Sequence, residues 1–143
     1  MTRVSVYSYS IKYRRKFPFG PPFFNFVFDC RGVPNPGRIA ELKDKTGLDM
    51  EVTDFLDRDL RAQRFLGDVS ELLHSTLRTF IEKEYKTCRV GFCCTGGRHR
   101  SVYFAERIAS SVRELLRPDA LCLYHLDIDS NYTCADKPVD RMG

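Results

Sequence analysis

The segment Arg89-Val90-Gly91-Phe92-Cys93-Cys94-Thr95-Gly96-Gly97-Arg98-His99-Arg100-Ser101 constrains this chain most, because a β-like run enters a glycine-containing loop and leaves as a helical pattern. A strand that feeds a helix in this way belongs to α/β layer folds, and the rest of the sequence alternates strand-like and helix-like stretches in the same manner. The expected fold class is therefore α/β, with a mostly parallel or mixed sheet of about four strands and flanking helices. At 143 residues the chain can bury one core without metals or staples and is too short for two ordinary domains, so 1–143 is read as a single compact domain.

Strand patterns are read at residues 3–11, 23–28, 87–93 and 120–128. The run Phe23-Phe24-Asn25-Phe26-Val27-Phe28 is nearly continuous apolar, the composition of a strand covered on both faces, and it ends in a loop rich in proline and glycine. Between 54 and 85, Phe65, Leu66, Val69, Leu72, Leu73, Leu77, Phe80 and Ile81 recur at helical spacing, with a break read at Gly67. A further helix is read over 101–116, stopped by Pro118 because α geometry is disfavoured at Arg117. From about residue 129 the chain is polar and expected to form a loose tail.

Lys plus Arg number 23 against 19 for Asp plus Glu, and a net charge of +4 is too small for a DNA-coating protein yet suits anionic ligands. The run Lys12-Tyr13-Arg14-Arg15-Lys16 either touches RNA phosphates or is a solvated basic turn. No apolar stretch reaches membrane-spanning length and the start lacks a secretory pattern, so the expectation is a cytoplasmic protein with no membrane partner. The six cysteines include the adjacent pair Cys93 and Cys94, which suits no ordinary disulfide framework, and all are read as reduced thiols. There is no C-x-x-C, and His74, His99 and His125 are scattered, so neither a metal site nor a cofactor is expected.

The loop after the third strand has the composition of an anion cradle. Gly96 and Gly97 let the backbone curl towards an oxyanion, and the first N–H groups of the next helix lack intrahelical acceptors. Arg100 adds a planar fork suited to phosphate, Ser101 can cap the helix or donate to the anion, and Arg98 and His99 raise the local positive charge. Cys94, Arg100 and Ser101 also occupy the fixed places of C-x5-R-S, the spacing of cysteine-dependent phosphatases, in which a thiolate attacks phosphorus while the arginine holds the equatorial oxygens. In that alternative Asp29 or Asp68 serves as general acid.

As a whole word, Cys94-Thr95-Gly96-Gly97-Arg98-His99-Arg100-Ser101-Val102-Tyr103 resembles the signature loop of the C-terminal domain of the RapZ family of RNase adapter proteins. Phe28-Asp29-Cys30-Arg31 running into Pro34-Asn35-Pro36 is similar to that family's loop after its second strand, and Thr46-Gly47-Leu48-Asp49 with Val52, Asp54 and Phe55 to the segment that follows. Ser10-Ile11-Lys12-Tyr13 and Ala105-Glu106-Arg107 match in order as well. The resemblance implies a phosphofructokinase-subdomain-like fold, a phosphate held by the loop from Cys94 to Ser101, and an association with glucosamine-6-phosphate sensing and small RNA.

Family members usually carry an N-terminal P-loop domain, whereas this sequence contains no G-x-x-x-x-G-K-[ST], so a stand-alone C-terminal domain is expected. Gly32 and Gly37-Arg38 depart from the bulky residue and the aromatic or histidine usual in the family. Leu126 stands where an arginine is usual, and Asp127-Ile128-Asp129 opens a mixed tail in place of a basic one.

Asp29 and Arg31 lie at the carboxyl end of a strand, where open α/β sheets place ligands; they either bind the ligand or pair with each other. Asn35 either joins them or forms an Asx turn before Pro36. His125 completes the expected second loop of the site, while His74 is read as a surface residue. The leading reading is a regulatory module that binds a phosphorylated small molecule; RNA, a ribonuclease, a separate P-loop nucleotide-binding protein and a second copy of the chain remain open as partners.

Overall fold

Four parallel strands and one antiparallel strand form a single sheet in the order β2-β3-β1-β4-β5. The computed structural model describes residues 1–12 and 23–128 and the backbone of 132–134. Its elements are β1 (Arg3–Ser10), β2 (Phe26–Asp29), α1 (Met50–Asp57), α2 (Leu60–Glu82), β3 (Thr87–Cys94), α3 (Arg100–Val112), β4 (Leu121–His125) and β5 (Tyr132–Cys134). The mixed α/β sheet with helices is the class its alternating patterns imply. Parallel register pairs Ser10 with Cys94, Asp29 with Cys93, and Ser8 with His125, so the carboxyl ends of the first four strands share one rim.

Period-2 alternation separates the two faces of the sheet. Val4, Val6, Val90, Phe92 and Leu123 pack against Leu73 and Leu77 of α2 and Ile108 and Ala109 of α3 in one buried cluster. The opposite face carries Tyr7, Cys122 and Tyr124, which pack with Phe23 and Phe24. Tyr7 stacks on Tyr124 with centroids 4.8 Å apart, and Tyr9 stacks on Phe24.

Several expectations are corrected. The second strand is neither as long as 23–28 nor covered on both faces. Asn25 ends the run early, because its side-chain oxygen accepts the Arg89 N–H at 2.8 Å, and β2 starts only at Phe26. Phe26 and Phe28 pack on the helix-side cluster, while Val27, pointing the other way, is 53% exposed.

The helical stretch 54–85 divides at Arg58 and Asp59, where the Asp59 carboxylate caps α2 by accepting the Ala62 N–H. Gly67 lies within α2 and marks no break. The last helix stops at Val112, ahead of Pro118, which instead opens the 3-10 turn Pro118–Ala120. Part of the tail expected to be loose supplies β5 along β4. Cys30, Cys88, Cys93 and Cys94 are free thiols, but Cys122 is disulfide-bonded, so the reading of six reduced thiols does not hold. Of the basic run at 12–16, all but Lys12 lies outside the described residues.

Candidate anion site

β3 delivers Cys94 to the rim of the sheet, and the chain must reverse there to start α3. Gly97 makes that reversal possible. Its φ is +71°, and a Cβ there would lie 2.6 Å from the Ser10 backbone nitrogen and 2.9 Å from the Tyr9 carbonyl carbon. Gly96 differs: a Cβ there would meet nothing within 4 Å. The Ser10 hydroxyl donates to the Thr95 carbonyl at 2.6 Å, and the Asp127 carboxylate accepts the Ser10 N–H at 2.7 Å, which ties the loop to β1 and to the residues after β4.

Behind the loop lies the turn that precedes α1. Gly47 donates its N–H to the Arg98 carbonyl at 2.8 Å, and a Cβ on Gly47 would come within 2.6 Å of the Tyr103 nitrogen. Thr46 and Asp49 brace this turn through the Thr46 N–H donated to the Asp49 carboxylate. His99 braces the loop from the side: its half-buried ring donates from Nε2 to the Leu42 carbonyl at 3.0 Å. Burial, reinforced by Arg98 and Arg100, lowers the His99 pKa against the opposing pull of that hydrogen bond, so the ring is neutral at pH 7 and adds no positive charge there.

Arg100 is the central residue. It is only 5% exposed, and its Nη1 donates to the carbonyls of Arg31 at 3.0 Å and Val33 at 3.1 Å. Its Nε is buried and has no partner among the described residues. A buried guanidinium N–H left unsatisfied is costly. Arg100 lines a cavity of about 550 Å³ together with Arg31, Val33, Pro34, Asn35, Arg38 and Thr95. That volume is within the range of small-molecule sites, and among the described residues no carboxylate lines it.

The turns after β2 form the other wall. Asp29 caps the 3-10 turn Cys30–Gly32 by accepting the Arg31 N–H, and the Arg31 side chain returns to the same carboxylate through Nε and Nη2, the latter at 2.6 Å. This hydrogen-bonded pairing lowers the Asp29 pKa. Asn35 accepts the Gly37 N–H at 2.9 Å, which is the Asx turn, and also lines the cavity. Thus Arg31 both pairs with Asp29 and lines the cavity, and Asn35 both forms the turn and lines the cavity.

The other sequence-read site residues do not line this cavity. Cys94 is 2% exposed and turns to the start of α3, where its Sγ receives the Ser101 N–H at 3.4 Å and contacts Ser101 Oγ at 3.1 Å. Ser101 is fully buried and therefore faces the core. Arg98 is exposed. His125, 3% exposed, lies on the helix-side face of β4; its Nε2 donates to Glu106 at 2.9 Å and its Nδ1 is 2.6 Å from Ser8 Oγ. The nearby thiols of Cys93 and Cys30 are pushed upward by burial and are protonated at neutral pH, and at the far end of β3 burial pushes Cys88 up to about 11.

Sequence reasoning did not select Arg38, Val33 or Pro34 as cavity wall. A basic residue closing an N-P-G turn just beyond a strand end was the available signal for Arg38. No pattern could have selected Val33, whose contribution is a backbone carbonyl. Among the described residues no helix is long and apolar enough to cross a membrane.

Comparison with known proteins places this geometry in a family. A family model described as the RapZ C-terminal domain matches residues 2–129. A protein of Xanthomonas euvesicatoria pv. vesicatoria, named a nucleotide-binding protein, is 37% identical over 127 residues, covering 89% of this chain and 44% of its own length. Nucleotide-binding proteins of Nitrosomonas eutropha and Fervidobacterium nodosum are 40% and 42% identical over 93 residues, covering 65% and 64% of this chain and 32% and 33% of theirs. The chain thus spans less than half the length of these relatives.

Proposed function

Because the chain belongs to the RapZ C-terminal domain family, we propose that it is a regulatory module that binds a phosphorylated small molecule, sugar phosphates foremost, in the cavity between Arg100 and the turns after β2. One observation carries this reading: the buried Arg100 lines the cavity, and among the described residues its guanidinium has only backbone carbonyls as hydrogen-bond partners, with Nε unpartnered. A phosphate oxygen is the acceptor that best satisfies such a group. Thr95 and Asn35 offer neutral hydrogen-bonding groups for sugar hydroxyls in the same wall. In this reading the bound anion draws the loop 94–101 and the turns 30–38 together, and a partner, RNA or a ribonuclease in keeping with an adapter family, responds to that closure.

The cysteine-phosphatase alternative has less support. A nucleophile must touch the phosphorus, and Cys94 is buried against Ser101 outside the cavity wall. Calorimetry with inorganic phosphate, glucosamine-6-phosphate and nucleotides tests the proposal; nucleotides belong in the panel because the longer relatives carry that ligand in their names. Saturable binding that is lost in Arg100→Ala is expected, and no binding of any of them at millimolar concentration would sink it.

A further inference from the structure

The charge around the cavity is unevenly matched. Arg31 spends Nε and Nη2 on the Asp29 carboxylate, so its charge is offset within the protein. Among the described residues Arg100 donates hydrogen bonds to carbonyls only, with Asp29 acting on it at longer range, and Arg38, on the exposed last position of the turn Pro36–Arg38, has no ion pair. Two guanidinium groups besides Arg31 therefore border one cavity that, among the described residues, has no carboxylate in its lining.

They also sit at different depths. Arg100 is buried and pinned by the Arg31 and Val33 carbonyls, whereas Arg38 is exposed at the mouth. A single phosphate held against the pinned Arg100 leaves Arg38 for a second group. Resting on the anion-site reading above, we infer that the cavity selects a small molecule with two separated anionic groups, a sugar bisphosphate or a phosphorylated sugar acid, one group at Arg100 and Thr95 and the other at Arg38. Arg38 is then a specificity-determining residue.

Three probes separate the possibilities: fructose 6-phosphate, fructose 1,6-bisphosphate and 6-phosphogluconate, titrated by calorimetry into the wild type and Arg38→Ala. The wild type should bind at least one of the two doubly anionic probes about tenfold more tightly than the monophosphate, the scale of one charge-assisted contact. Whichever of the two binds better names the second group. Arg38→Ala should bring that ratio to about one, weakening the doubly anionic probe by a larger factor than the monophosphate; Arg38 is exposed, so the variant is expected to fold. Equal wild-type affinities for all three, or an Arg38→Ala loss of the same size for each, overturns this inference and leaves the anion site standing. Failure of all three to bind overturns this inference, while the anion site itself is decided by the phosphate, glucosamine-6-phosphate and nucleotide titrations.

Discussion

Arg100 Nη1 lies 3.1 Å from the carbonyl oxygen of Val33, so the first residue of α3 holds the chain that follows β2. A side chain read from sequence as a phosphate clamp is thereby also a structural strut. In the proposed reading the anion is held by nitrogens that these carbonyls leave free, so strut and clamp make distinct demands on a substitution.

Arg100→Ala is expected to lose both. Removing the strut leaves two carbonyls without their donor and should cost about 1.5–3 kcal/mol of stability, while anion affinity falls at least about tenfold. Urea denaturation reads the first and calorimetry the second. Arg100→Lys keeps the charge but not the fork, and should recover part of the affinity while leaving one carbonyl unpaired.

The two loop glycines should respond differently. Gly97→Ala forces a left-handed backbone on alanine, which alone costs about 1–2 kcal/mol, and adds a clash with the Ser10 nitrogen. Gly96→Ala meets open space and should stay within about 0.5 kcal/mol of wild type. Equal melting temperatures for the two variants would contradict the geometry of the loop.

His99 links stability to pH. Its folded-state pKa is depressed below the ordinary value of 6.5, chiefly by burial, so the unfolded chain takes up a proton before the folded one does. The His99 contribution is complete above pH 6.5 and is lost as pH falls through the folded value. The urea midpoint should therefore drop on acidification from pH 7 to 5, and the drop should be shallower in His99→Gln.

Cys94 is expected to support the loop without acting as a nucleophile. Cys94→Ser should preserve anion binding and cost about 1 kcal/mol at most, because serine still offers an acceptor to the Ser101 N–H. No appreciable hydrolysis of an aryl phosphate is expected from the wild type. Turnover abolished by Cys94→Ser, with a phosphocysteine trapped and seen by mass spectrometry, would restore the enzymatic alternative.

Local physics made much of this protein legible in its residues. Hydrophobic periodicity is a short-range property, so the strands around Val4, Val90 and Leu123 and the helical faces of Leu73 and Ile108 could be read directly. The left-handed Gly97 and the junction of β3 with α3 follow from the same local rules. Order within the sheet does not: β2 sits at an edge, its Phe26 and Phe28 covered and its Val27 exposed, because only the packed arrangement decides which strand has two neighbours.

The site divides along the same line. Sequence marked Arg100 as a candidate anion ligand by its spacing from the glycines, but that it is buried, with Nη1 bound by the carbonyls of a loop nearly seventy residues earlier and Nε unpartnered among the described residues, is a product of tertiary packing. Likewise His125 was chemically eligible for the site, and tertiary packing instead placed it between Ser8 and Glu106. Residue chemistry set what each group could do; long-range contacts, which no local pattern encodes, decided which atom of each was left to do it.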